Sequence, residues 1–91
     1  MILATAKISG DFDQFWSTFT TKGAELRKQH GSKGAQVYRD PNDAQRLWAV
    51  FDWSEDEFRE YTSSDEAKGV FEEGGVEGLP QTAESVGETD S

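Results

Sequence analysis

Residues 34–54, GAQVYRDPNDAQRLWAVFDWS, leave this chain few ways to fold. Two runs rich in β-formers flank Pro41-Asn42-Asp43, and Ser54 opens a helix directly after the second run. Proline suits the i+1 position of a turn, and Asn and Asp tolerate its dihedrals. Strands are therefore expected over residues 33–40 and 45–53, joined by a loop over 41–45. Setting Val37 opposite Ala49 places Asp40 opposite Arg46 as a cross-strand ion pair. That register puts Ala35, Val37, Leu47, Ala49, Phe51 and Trp53 on one face, and Gln36, Tyr38, Trp48 and Val50 on the other. A slip of one residue would mix the two sets.

An element is expected on each side of the hairpin. Residues 2–8 alternate, with Ile2, Ala4, Ala6 and Ile8 on one face and Leu3, Thr5 and Lys7 on the other. Residues 11–29 carry Phe12, Phe15, Trp16, Phe19, Gly23 and Leu26 along one helical stripe. Asp11 and Asp13 suit the start of that helix, Arg27 and Lys28 its end, and Gly31 its C′ stop. Thr18, Thr20 and Thr21 weaken it locally. Ser54 with Glu57, and Ser63 with Glu66, read as two capping boxes, hence two short helical pieces near 55–62 and 64–73. Residues 74–80 read as a turn-rich loop, and 81–88 as a last strand carrying Val86. The order is βαββαβ in one domain over residues 1–88, with residues 89–91 as a flexible acidic tail.

Charge narrows the partners. The net charge is −9, and it is uneven: residues 1–53 hold seven basic and six acidic side chains, residues 54–91 two basic and twelve acidic. Such a surface repels phosphate backbones and anionic lipid headgroups, so neither nucleic acid nor a membrane is an expected partner. The acidic half reads as a solvated face, or alternatively as a docking surface for a basic partner. There is no cysteine, which excludes thiolate chemistry and fits a cytoplasmic protein. No basic n-region precedes the short N-terminal apolar run, and no segment approaches the ~20 apolar residues of a membrane span.

The second sheet face poses a packing problem. Two helical layers on one side leave Leu3, Tyr38, Trp48, Val50 and Val86 facing water, although an uncovered antiparallel face is ordinarily polar. A second copy packed on the same face would cover them, which predicts a two-fold homodimer.

With that architecture in place, the sequence resembles the dimeric α+β barrel superfamily, and within it small proteins related to antibiotic biosynthesis monooxygenases. The residues carrying the likeness are FDQFWSTF, the hairpin VYRDPNDAQRLWAVFDW with its immediate helix start, and SSDEAKGVFEEGGVEGLPQTAESV. The fold the resemblance implies is α+β: a ferredoxin-like βαββαβ chain whose four-stranded antiparallel sheet forms a dimeric α+β barrel. It also implies a pocket between helices and sheet in each subunit. In the enzymes of the group that pocket holds a flat aromatic or polyketide-like substrate, which reacts with oxygen without a bound metal or flavin, so no cofactor is expected. Haem-degrading relatives use an Asn, a Trp and a His on the second helix; this chain has no histidine after His30.

No catalytic set can be assembled from the residues, and no spacing resembles a metal-ligand set. Trp16, Phe19, Trp53, Tyr61 and Phe71 read either as core or as walls of a pocket for a flat ligand. The Tyr61 hydroxyl could orient a phenolic substrate. His30 reads as a helix-end side chain, or alternatively as a general base or ligand. Arg39 pairs with an acidic neighbour or anchors an anion. Two functions remain open: a cofactor-independent monooxygenase-like enzyme on a small aromatic molecule, and a non-catalytic ligand-binding or stress-response protein. The first requires a cavity of at least a few hundred Å³ with polar groups converging on it.

Overall fold

Four antiparallel strands form one open sheet in the order β2-β3-β1-β4 in the computed structural model, which describes residues 1–91. Along the chain the elements are β1 (Ile2–Ile8), α1 (Phe12–Thr20), α2 (Lys22–Gln29), β2 (Ala35–Asp40), β3 (Asp43–Phe51), α3 (Glu55–Ser63), α4 (Asp65–Glu73) and β4 (Val76–Ala83). The ferredoxin-like order is present, with each helical connection split in two. The expected barrel is not: β2 and β4 end the sheet as unpaired edges, and no ladder joins them. Four strands are too few to close around a filled interior; about eight are needed.

The hairpin register is the expected one through its centre, with Val37 opposite Ala49 and Tyr38 opposite Trp48. It departs at the turn. Asp40 pairs with Asp43, and an irregularity between Arg39 and Asp40 absorbs residues 44–46. The Asp40 carboxylate accepts from the Asn42 amide at 2.8 Å, closing a tighter turn than a five-residue loop. The expected Asp40–Arg46 pair is therefore lost. Arg46 Nη1 donates instead to Thr5 Oγ1 on β1 at 3.0 Å, and Lys7 pairs with Asp43 at 3.4 Å.

The first helix is two helices. Asp11 caps α1 by accepting from the Asp13 amide, and the break falls at Thr21, whose ψ is −92°. The hydroxyls of Thr20 and Thr21 donate back to the carbonyls of Trp16 and Ser17 at 2.8 and 2.7 Å. Such back-bonding competes with the helical ladder and bends it. α2 closes in a Schellman arrangement: Ser32 N donates to Arg27 O and Gly31 N to Lys28 O. Gly31 holds φ +95°, as its C′ position requires.

On the other side, Ser54 and Glu57 form the expected capping box at α3. The second box does not form. Ser64, not Ser63, caps α4 by accepting from the Ala67 amide at 3.2 Å, while the Ser63 hydroxyl donates to Arg59 O inside α3. The last strand is also displaced. The Gly78-Leu79-Pro80 stretch is part of β4, at an irregularity opposite the step from Thr5 to Lys7. Residues 84–91 have no regular structure, and Val86 among them is 98% exposed.

The core lies between the helices and one sheet face. One cluster gathers Ile2, Ala4, Phe51, Trp53, Phe58, Tyr61 and Ala67; a second gathers Ile8, Phe15 and Leu47. Phe19 packs against both and joins them. No helix is long and apolar enough to cross a membrane.

Candidate functional site

The covered sheet face is built small at its centre. Ala4 of β1 sits opposite Ala49 of β3, and Ala6 opposite Leu47. Ala4 and Ala49 join the core with the shortest of side chains, and a cavity of about 70 Å³ remains between the layers. Its walls include Phe19, Phe51, Phe58, Tyr61 and Phe71, with Val37 at one side. The ionisable groups among the lining residues are Arg27 and Tyr61.

Arg27 is the feature that reading the sequence missed. It was expected only to complement the end of a helix. Instead it is 7% exposed and turned into the molecule. Its Nη2 donates to Phe19 O at 2.8 Å, and its guanidinium carbon lies 3.7 Å from the centroid of the Phe19 ring. Phe19 stands in the last turn of α1, where carbonyls lose their regular helical partners, so the break at Thr21 supplies the acceptor. The ring supplies a quadrupole for the cation. Gly23, one turn before Arg27, makes the space: a Cβ there would meet Arg27 Nη1 at 2.9 Å and Thr18 O at 3.1 Å. The missing side chain at Gly23 thus admits both a guanidinium and the backbone carbonyl of Thr18. A readable signal was present, a glycine on the apolar stripe four residues before an arginine.

No carboxylate answers the buried cation. The ion pairs of the molecule are Lys7–Asp43, Lys22–Glu73 and Arg59–Glu55, all at the surface. Burial lowers the Arg27 pKa, an effect opposed by the neighbouring Tyr61. Burial likewise pushes the Tyr61 phenol above its ordinary value, opposed by the Arg27 charge and hydrogen bonding. One buried polar group lies close by without any hydrogen-bond partner: the indole N–H of Trp53, whose ring lies 5.3 Å from that of Tyr61.

The other sequence-derived candidates divide. Phe19, Tyr61 and Phe71 line the cavity; Trp53 lies in the adjoining core cluster. Trp16 is 43% exposed and stacks on Phe12 and Phe19 from outside. His30 caps α2 and meets the Tyr61 ring edge-on at 5.6 Å, without lining the cavity. Arg39 makes no ion pair; its guanidinium lies over the Phe12 ring at 4.3 Å. No three His, Asp or Glu side chains converge as a metal site.

On the open face, Leu3 stands opposite Val50 and Tyr38 opposite Trp48, a continuous patch across three strands. Leu3 is 39% and Tyr38 53% exposed. Val86 is not part of this patch, because β4 ends at Ala83.

No protein-family model and no curated protein matches the sequence. Solved structures do. The structural-genomics protein YJCS superposes with a TM-score of 0.60 at 14% identity, over 93% of this chain and 96% of that one. A Chloroflexus aurantiacus protein provisionally named an antibiotic biosynthesis monooxygenase gives 0.57 at 15%, over 97% and 93%. A conserved protein from Methanosarcina mazei gives 0.59 at 17%, over 90% and 85%. The chain therefore shares, nearly end to end, the small α+β fold of these proteins.

Proposed function

We propose that this protein binds one small, flat, largely apolar molecule between its helices and its sheet, and that it works as a homodimer. The observation carrying the reading is the aromatic-walled cavity floored by Ala4, Ala6 and Ala49, with Arg27 and Tyr61 as its ionisable groups. Its volume of about 70 Å³ falls short of the few hundred Å³ that a substrate of several rings would need. The ligand is then a single ring, or the Phe19 and Phe71 walls move to admit it. That shortfall favours a binding role over the monooxygenase-like reaction.

Oxygen-dependent chemistry on a hydroquinone is the narrower reading, supported by the fold shared with the protein named as a monooxygenase and by a phenol positioned in the cavity wall. Titration with a panel of hydroquinones and other single-ring aromatics, followed by NMR, tests both. Shifts confined to Phe19, Tyr61 and Phe71 are expected, and Ala49→Leu, which fills the floor, should abolish them; no binding at millimolar ligand would overturn the reading. Oxygen uptake with a bound hydroquinone, lost in Tyr61→Phe, would establish the reaction.

The dimer rests on the open face. Tyr38, Trp48, Leu3 and Val50 form an apolar patch that a second copy of the same sheet would cover. Sedimentation at micromolar concentration should give twice the 10.1 kDa chain mass, and a species of one chain mass would defeat it. The cysteine-free sequence supports a reducing compartment such as the cytoplasm.

A further inference from the structure

Arg27 is buried and carries a charge that no side chain neutralises. Isolated buried charges are ordinarily paired or hydrogen-bonded throughout. Here the Phe19 carbonyl, the Phe19 and Phe51 rings and the neutral Tyr61 hydroxyl are its partners, none of them charged. The residue lines two spaces. On its inner side is the apolar cavity; on its outer side is a cleft of about 100 Å³ between α2 and the start of β2. That cleft is lined by Lys28, Lys33 and Ser32 besides Arg27, and no acidic residue is among its lining residues. A chain of net charge −9 thus gathers three cations around one opening, and the innermost of them reaches the aromatic cavity. A fork-shaped guanidinium matches a carboxylate in geometry as well as charge.

We infer that the ligand of this cavity is an anion: a small aromatic carboxylate, its ring against Phe19, Phe51 and Phe71 and its carboxylate on Arg27. This inference rests on the binding reading above and adds the charge of the ligand. Lys28 and Lys33 raise the local concentration of anions at the cleft. Arg27 then gains the counter-charge it lacks, and the Tyr61 hydroxyl beside it in the cavity wall offers a further donor. An uncharged isostere offers the same ring but no charge for the guanidinium, and so forfeits that gain.

The test compares 3-phenylpropenoate with its amide, a pair alike in shape and different in charge, by NMR titration of the full chain. The carboxylate is expected to bind at least tenfold more tightly and to shift the Arg27 Nε–H resonance. Arg27→Gln should bring the two ligands within threefold of each other, and Arg27→Lys should retain part of the preference. Should Arg27→Gln not fold, the wild-type ratio and the Arg27 resonance decide alone. Equal binding of acid and amide to the wild type would overturn the anion site and leave the binding reading standing. A carboxylate preference undiminished in Arg27→Gln would overturn the assignment to Arg27 and move the anion to Lys28 and Lys33. Binding of neither compound, with hydroquinones also failing, would overturn both readings together.

Discussion

The two faces of the sheet fail in opposite ways. On the helix-covered face the apolar groups are met and polar ones are not: Phe51, Trp53 and Phe58 pack tightly, while Arg27 has no counter-charge and the Trp53 indole N–H has no acceptor. On the open face the polar tips are met and the apolar bodies are not. The Tyr38 hydroxyl donates to Gln36 at 2.9 Å, the Trp48 indole N–H points to Asp40 at 3.4 Å, and Arg46 reaches Thr5. Leu3, Tyr38, Trp48 and Val50 keep their rings and methyls partly in water. A protein tuned for stability alone would show neither pattern. The contrast argues that each face awaits something different: a polar or charged partner inside, an apolar one outside.

Truncation should expose the difference most strongly. Phe51→Ala, which removes the ring touching Phe19, Trp53 and Phe58, is expected to cost about 3–5 kcal/mol in urea unfolding. Trp48→Ala on the open face removes a comparable ring but should cost less than half as much in dilute protein. The second copy proposed for this face would make that cost rise with protein concentration, because association stabilises by mass action. Equal, concentration-independent losses would erase the distinction between the faces.

How far the sequence reveals these faces depends on the kind of constraint. The alternation in residues 2–8 and the Val37–Ala49 register were legible, because a period of two with a buried face permits one answer. Competition between local and longer-range bonds was not. The Asp40–Asn42 turn outbids an Asp40–Arg46 pair, threonine hydroxyls break the first helix at Thr21, and Ser64 displaces Ser63 as a cap. Barrel closure came from the resemblance alone, and the open sheet corrects it. At the site, the aromatic residues could be named but not sorted into cavity wall, core and surface, since Phe19 and Trp16 share one stripe. Arg27 was hidden because a lysine or arginine in a last helical turn ordinarily points to water; only the break at Thr21 rotates α2 into a separate element whose arginine faces Phe19.

The unmet charge supplies the next test. Replacing a buried arginine without a counter-charge by an apolar side chain of similar length removes a desolvation cost, at the loss of the bond to Phe19 O, the contact with its ring and the interaction with Tyr61. Arg27→Met should leave stability unchanged or raise it, by up to about 4 kcal/mol, measured as a shift of the urea midpoint at constant m-value. A loss of that size would mean that the Phe19 carbonyl and ring satisfy the cation fully, and the covered face would then have no unmet charge. Gly23→Ala probes the same space from the other side. Its Cβ would press on Arg27 Nη1 and on the Thr18 carbonyl, and overpacking of this kind costs about 1–3 kcal/mol. Combined with Arg27→Met the cost of Gly23→Ala should fall, because one of the two obstacles is gone.

The smallest expected effect depends on pH and reads the environment of Tyr61 directly. Burial raises the phenol's pKa, and Arg27 opposes the rise. Above about pH 10 the unfolded chain releases this proton while the folded protein keeps it. Folding stability attributable to Tyr61 therefore falls as pH climbs past that point, by at most about 1.4 kcal/mol per pH unit. Tyr61→Phe should remove this component of the alkaline loss. Arg27→Met should extend it to higher pH, since the charge that favoured the phenolate is absent. Should Tyr61→Phe leave the alkaline slope unchanged, the phenol would be solvated rather than buried, and the inner end of the cavity would be wet. A wet inner end would also give Arg27 water in place of a ligand, so the same pH titration bears on whether the covered face has an unmet group at all.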